Sequence, residues 1–249
     1  MNTSNFQSLP ELFFEKSEEN KDSVHLISKH KKTGIQKIYH WKKTKKEIMV
    51  LSNLLSSQNI KKGDRVMLVS ENRPEWLISD IAIMSHGLIT VPNYTTYTVK
   101  DFEHVIRDCK PVGLIVSNNV LFRKIMEAKY NLDHSFNFIV HLDNLDQEYK
   151  NENLISYESE INKNKSANIN FFFNKDLLSR KDPACIIYTS GTEGNPKGVV
   201  LSHGGILSNC EGALELLDSF EIKNHTFLTW LPLSHSYEHT IQFVQIALN

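Results

Sequence analysis

"RVMLVSENRPEWLISDIAIMSHGLITVPN", residues 65–93, sets a short apolar run, a helix-length stretch and a second apolar run in immediate succession. "RVMLVS" and "LITVP" have the length and apolar content of buried strands. Between them, "RPEWLISDIAIMSHG" carries Pro74 near its start and Gly87 near its end, where helices accept proline and stop at glycine. Strand, helix and strand of these lengths read as a βαβ unit. The theme repeats downstream, with "TVKDFEHVIRDC" as a helix, "PVGLIVSN" as a strand, "VLFRKIMEAKY" as a helix and "FNFIVHLD" as a strand. The expected class is α/β, with layered, mostly parallel sheet and helices on both faces.

Upstream, residues 24–41, "VHLISKHKKTGIQKIYHW", alternate apolar and polar around a Lys-Lys-Thr-Gly turn and predict a β-hairpin. A helix is expected to open at "TKKE", where Thr44 and Glu47 have capping-box spacing, with Ile48, Val50, Leu51, Leu54 and Leu55 as its apolar stripe. Lys42, Lys43, Lys45 and Lys46 cluster there. Acidic residues nearby and the lack of interleaved aromatics favour a solvated helix face over a membrane or nucleic-acid patch. Residues 144–182 turn rich in Asn, Lys, Glu and Ser and read as a surface connection of short helices or turns. The chain is therefore divided into a first α/β lobe at 1–143, a connection at 144–182 and a loop-bearing region at 183–249.

The chain has 249 residues, ample for a buried core, and balances 28 Lys+Arg against 29 Asp+Glu. That balance gives no global footprint for nucleic acid, and none is expected as a partner, so any ligand binds locally. The start of the sequence lacks the pattern of a secretory signal and no stretch has the length of a membrane span, which makes a cytoplasmic location the default expectation. Cys109, Cys185 and Cys210 suit neither a disulfide framework nor a zinc site and are expected to be reduced, mostly buried thiols.

The chemistry is concentrated in residues 186–203, "IIYTSGTEGNPKGVVLSH". "ACIIYT" reads as a buried strand and "GVVLSH" as a second strand after Lys197. Between them, Gly191, Gly194 and Gly198 permit positive φ and let backbone N–H groups converge on an anion. Thr189, Ser190 and Thr192 add hydroxyl donors, Lys197 a mobile positive charge, and Pro196 stiffens the approach while biasing Asn195 toward an extended conformation. A Walker loop is excluded, because Lys197 is followed by Gly198 and a strand instead of Ser/Thr and a helix. A Gly-rich turn between strands is by itself usually a hairpin, and the ordered Thr, Ser, Gly, Lys set makes that bland reading the weaker one.

"YTSGTEGNPKGVVLSH" resembles the signature phosphate-binding loop of the adenylate-forming acyl-CoA synthetase family. "FLTWLPLSHSYEH", residues 227–239, resembles that family's Leu-Pro-Leu-x-His-x-x-Glu segment, and "ENRPEWLISDIAIMSHGLITVPNYTTYT" its N-terminal sheet region. The resemblance is closest in character to the long-chain fatty acid ligases. It implies activation of a carboxylic acid by ATP to an acyl-adenylate, then transfer to coenzyme A, with Mg²⁺ as the accompanying ion. Residues Thr189, Ser190, Gly191, Thr192, Glu193, Gly194, Asn195, Pro196, Lys197 and Gly198 would hold the β- and γ-phosphates, Thr189 would be the Mg²⁺ ligand, and Lys197 would carry the catalytic charge. His235 would orient the carboxylate or gate the acyl tunnel, with Glu238 and His239 as weaker positioning candidates. For His235 alone, capping of a strand end is the competing reading. His203, His86 and His104 read as structural or ordinary helix positions.

Glu193 stands where the family more often has Thr or another small residue, and is expected to point outward at the loop tip, since a carboxylate facing phosphates repels them. Segments that the resemblance also calls for, those holding the ribose, a Mg²⁺-binding Glu, the hinge and the C-terminal lid, do not occur in these 249 residues. The chain is therefore expected to be the N-terminal part of a ligase, or a truncated relative, and not to turn over alone. Unpaired sheet edges and exposed apolar surface would follow. A ligase that loads a carrier protein and a non-catalytic nucleotide-binding module stay as alternatives. Peripheral membrane contact suits a fatty substrate, and the sequence leaves oligomeric state open.

Overall fold

The computed structural model describes residues 3–29, 33–146, 152–189, 196–220 and 225–248. At its centre is β3, Arg65–Val69, whose "VMLV" is buried on both faces. Alternation sends Val66 and Leu68 into one core and Met67 and Val69 into the other. That is why the strand reads as a continuous apolar run without polar alternation. Helix α3, Pro74–Met84, leaves β3 and returns the chain to β4, Ile89–Asn93, which lies parallel beside it. The left-handed Gly87, with φ of 69°, ends that crossover.

From β4 the chain crosses to the other side of β3. Helix α4, Val99–Cys109, opens on a capping box between Thr98 and Asp101 and leads to β5, Gly113–Val116, parallel to β3. Helix α5, Asn119–Asn131, and strand β6, Phe138–His141, extend the sheet in the same direction. Residues 144–182 do more than cover the surface. Leu154–Ser156 adds a parallel strand, β7, to the edge of β6 before helix α6, Tyr157–Lys163. Strand β8, Pro183–Thr189, is parallel to β4, and β9, Lys197–Ser202, is antiparallel to β8. The sheet order is β7-β6-β5-β3-β4-β8-β9.

Helices α4 and α5 cover one face. The other is covered by α3 with α1, Leu9–Glu19, α2, Trp41–Ser56, α7, His203–Asp218, and α8, Ser236–Leu248. Because β4 and β5 flank β3 on opposite sides, the chain reverses its winding at β3. A crevice is expected at the carboxyl ends of the strands at such a reversal. The hairpin of β1, Val24–Lys29, and β2, Gln36–His40, forms a separate two-stranded sheet.

The expected capping box of α2 is not formed. The helix starts at Trp41, because the Trp41 and Lys42 N–H groups donate to the carbonyls of Ser23 and Lys21. Thr44 and Glu47 instead lie inside the helix and face inward, Thr44 beside His25 and Glu47 accepting from Tyr157 at 2.8 Å. All three cysteines are free and buried, as their spacing indicated. Among the described residues no helix is long and apolar enough to cross a membrane.

Candidate active site

The direction of β8, parallel to β4, brings Thr189 out at the carboxyl end of the parallel strands, the end where the reversal of winding at β3 leads one to expect a crevice. The β8–β9 register then pairs Thr189 with Lys197 and Tyr188 with Gly198. Directly paired cross-strand residues have Cβ atoms about 5 Å apart, so the exposed hydroxyl and the exposed lysine stand side by side where the loop leaves the sheet. The hairpin weighed in the sequence reading is present as the antiparallel pair β8 and β9. Ser190, Gly191, Thr192, Glu193, Gly194 and Asn195 lie outside the described residues, and with them the expected backbone nest and the orientation of Glu193.

Gly198 serves a different purpose from the one its residue type suggested. It has no positive φ; it is a strand residue, and a Cβ there would lie 2.9 Å from Ile186 Cγ2 and 3.2 Å from the Tyr188 ring. The Tyr188 hydroxyl donates to Asp108 at 2.6 Å, and the Tyr188 ring also meets His104 edge to face. His104, on α4, donates from Nε2 to the Pro196 carbonyl at 2.7 Å. An ordinary helix position in the sequence reading thus holds the loop where it re-enters the sheet. Its signal was the i, i+4 pair His104 and Asp108, which puts both groups on one face of α4.

The second motif is held from beneath. Residues 231–233 carry Leu-Pro-Leu, and the Asn72 carboxamide grips this segment twice, donating to the Leu231 carbonyl at 2.7 Å and accepting from the Leu233 N–H at 2.9 Å. Glu238 is buried, accepts from the Leu231 N–H at 3.3 Å, and is itself held by Gln242. His235 follows the segment, exposed, just before α8. Its Nδ1 accepts the Tyr237 N–H at 3.2 Å, so the proton of the neutral ring sits on Nε2. This is a cap on a helix start, not on a strand end.

His239, one helical turn on, is fully buried. Its Nε2 donates to Asp80 Oδ2 at 2.7 Å and its Nδ1 lies 3.6 Å from Cys185 Sγ. Burial pulls the imidazole toward the neutral form, but the adjacent Asp80 carboxylate outweighs it and raises the pKa to about 10. An imidazolium–carboxylate pair is thus enclosed among α3, α8 and β8, with the Trp76 ring against it. Cys185 is four residues before Thr189 and His239 four after His235, so the pair ties together the two elements that carry the two motifs. Sequence reading missed Asp80. The signal was a carboxylate inside a helix whose other residues are almost all apolar, a placement that demands a buried partner. His203, buried at the start of α7, accepts the Leu9 N–H on Nδ1, and burial lowers its pKa to about 4, a structural role as expected.

The AMP-binding enzyme family matches residues 13–248. Fatty acyl-CoA synthetase A of Dictyostelium discoideum is 30% identical over 82% of this chain and 31% of its own length. The chloroplastic long-chain-fatty-acid–[acyl-carrier-protein] ligase of Arabidopsis thaliana is 25% identical over 98% of this chain and 34% of its own. The chain thus spans about a third of the length of these relatives, 31% and 34%. Among solved structures, acetoacetyl-CoA synthetase from Streptomyces lividans superposes with a TM-score of 0.80 at 17% identity, over 96% of this chain and 37% of that one. A putative long-chain-fatty-acid CoA ligase from Rhodopseudomonas palustris gives 0.76 at 16% identity, over 98% and 56%. These two show a shared α/β fold. The family match runs from α1 through the hairpin and both motif segments to the end of α8, and the chain belongs to the AMP-binding enzyme family.

Proposed function

We propose that this chain supplies the triphosphate-binding part of an ATP-dependent acid:thiol ligase whose acid is a long-chain fatty acid. The observation that carries the reading is the register of Thr189 against Lys197 at the mouth of the loop, at the carboxyl end of the sheet. In the reaction a substrate carboxylate oxygen attacks the α-phosphorus of ATP, the bond to the β-phosphate bridge oxygen breaks, and pyrophosphate leaves. A thiolate then attacks the acyl carbon and AMP departs. Two anions must approach in the first step, so the protein's task is to hold and neutralise charge.

Lys197 supplies a positive charge for the β- and γ-phosphates, and residues 190–195 supply N–H and hydroxyl donors. The exposed Thr189 hydroxyl is a hard oxygen donor that fits Mg²⁺, an ion commonly held by one or two protein oxygens together with substrate phosphates. Bound there, the ion would offset phosphate charge. His235, with its proton on Nε2, is suited to donate to an incoming carboxylate or to the α-phosphate, and Asn72 and Glu238 fix the segment that presents it.

Calorimetric titration with MgATP tests the assignment. The 249 residues are expected to bind MgATP, Lys197→Ala to weaken binding at least about tenfold, and absence of binding overturns the loop assignment. ATP–pyrophosphate exchange with a panel of fatty acids is expected to be absent for these 249 residues alone; robust exchange would show that they suffice. A carrier-protein thiol in place of coenzyme A is a second reading, supported by the Arabidopsis relative, a long-chain-fatty-acid–[acyl-carrier-protein] ligase. Reading the gene downstream of codon 249 separates a ligase from a non-catalytic nucleotide-binding module. An in-frame continuation with the ribose- and Mg²⁺-binding segments supports the ligase, and a stop codon the module.

A further inference from the structure

A cavity of about 710 Å³ opens between α2, the chain before β1 and the end of α6, in a part of the molecule that the proposed reaction does not use. Five lysines line it, Lys21, Lys42, Lys43, Lys46 and Lys165, against two acidic residues, Asp22 and Glu47. The sequence reading took the α2 lysines for a solvated face. Lys42 and Lys43 are exposed, and the fold draws them and Lys46 from one helix together with Lys165, more than 100 positions away, around a single concavity.

The lysines divide into two sets. Lys46 donates to the carbonyls of Lys165 and Ala167 at 2.7 and 2.9 Å and so anchors the chain after α6 to α2. Lys43 lies 3.7 Å from the centroid of the Tyr39 ring, with Glu47 at 4.0 Å, and Lys21 pairs with Glu18 at 2.7 Å. Lys42 and Lys165 are exposed and have no carboxylate partner among the described residues. Glu47 does not neutralise them: it is buried at the base and held by the Tyr157 hydroxyl. The end of α2 that faces the cavity has no side-chain cap and no acidic residue in its first turn. Cations at the positive end of a helix dipole repel it, and an anion in the cavity would relieve both. Val50 and Ile161 supply an apolar wall.

We propose that this cavity is a binding site for a multiply charged phosphate compound of small-molecule size, with Lys42 and Lys165 as its principal cationic contacts. Lysine serves as a point-charge phosphate ligand, and the volume lies within the range of small-molecule sites. Soluble organic phosphates and phosphate-bearing lipid headgroups share this chemistry. The inference does not depend on the acid-activation reading.

The test is run in a Lys197→Ala background, so that the β8–β9 loop does not contribute. Inorganic triphosphate is titrated calorimetrically, and sedimentation is measured with vesicles of phosphatidylcholine with and without phosphatidic acid. The double charge reversal Lys42→Glu/Lys165→Glu changes two exposed side chains and is expected to weaken triphosphate or phosphatidic-acid binding at least about tenfold. Lys42→Arg/Lys165→Arg is expected to retain it. Loss of the triphosphate signal identifies a soluble ligand, and loss confined to vesicles identifies a lipid headgroup. Binding that is indifferent to the reversal, or no binding of either probe, overturns the proposal. If Lys197→Ala leaves MgATP affinity unchanged while the reversal still acts, the loop assignment fails and the cavity stands.

Discussion

Asp80 and His239 are both fully buried, and one is worth little to the fold without the other. Removing one partner of such a pair leaves an uncompensated charge in the core and typically costs about 3–5 kcal/mol. Asp80→Asn is expected to lower unfolding free energy in urea by that order. The pair also sets a pH dependence. The His239 pKa is raised from 6.5 to about 10 in the folded chain, so its contribution is fully present below pH 6.5 and is lost as pH rises to about 10. The stability difference between wild type and His239→Gln should therefore shrink across that window; a difference that stays constant would contradict a charged His239. Gly198 is fixed by space instead of charge. Gly198→Val would drive a side chain into Ile186 and the Tyr188 ring, with an expected cost of about 1–3 kcal/mol by thermal or urea melting.

At the scale of elements, α4 reaches the point where the loop re-enters the sheet through the bond from His104 to the Pro196 carbonyl. A hydrogen bond of this kind contributes about 1 kcal/mol, so His104→Ala should weaken MgATP binding by about fivefold while changing the melting temperature little. Equal affinity in the variant would show that the exit of the loop does not matter. The alternation of β3 to β6 with α3 to α5 was legible because each strand is an apolar run and each helix has a clear start or stop signal. Two features were not legible, and for different reasons. The start of α2 is decided by carbonyls of Ser23 and Lys21 that the fold brings to it, so the local Thr44/Glu47 pattern lost to tertiary bonds. β7 has three residues of intermediate burial at a sheet edge, too short and too weakly apolar to stand out of an Asn- and Lys-rich stretch. At the site, the loop and Leu-Pro-Leu-x-His segments were readable as ordered motifs. Asn72 carried no signal, and those of His104 and Asp80 marked a need for a partner without naming it, since the partners are a distant backbone carbonyl and a distant ring.

At the scale of the whole molecule, one set of exposed apolar side chains lies beyond β8. Val199 and Val200 are exposed on the edge strand β9, and Leu228 and Trp230, just before Leu-Pro-Leu, are 82% and 72% exposed. An exposed apolar strand edge is a template for association. Light scattering of this chain should rise with concentration, and Val200→Lys should reduce that rise without lowering the melting temperature; an unchanged rise would place the association elsewhere. The β8–β9 ladder has another consequence. Thr189 and Lys197 stand like two posts on one ladder, paired by the register of β8 against β9. Lengthening the connection between two such residues costs little, roughly 0.6 kcal/mol for each doubling. A longer or shorter connection between these two residues therefore leaves the ladder that pairs the hydroxyl with the ammonium in place.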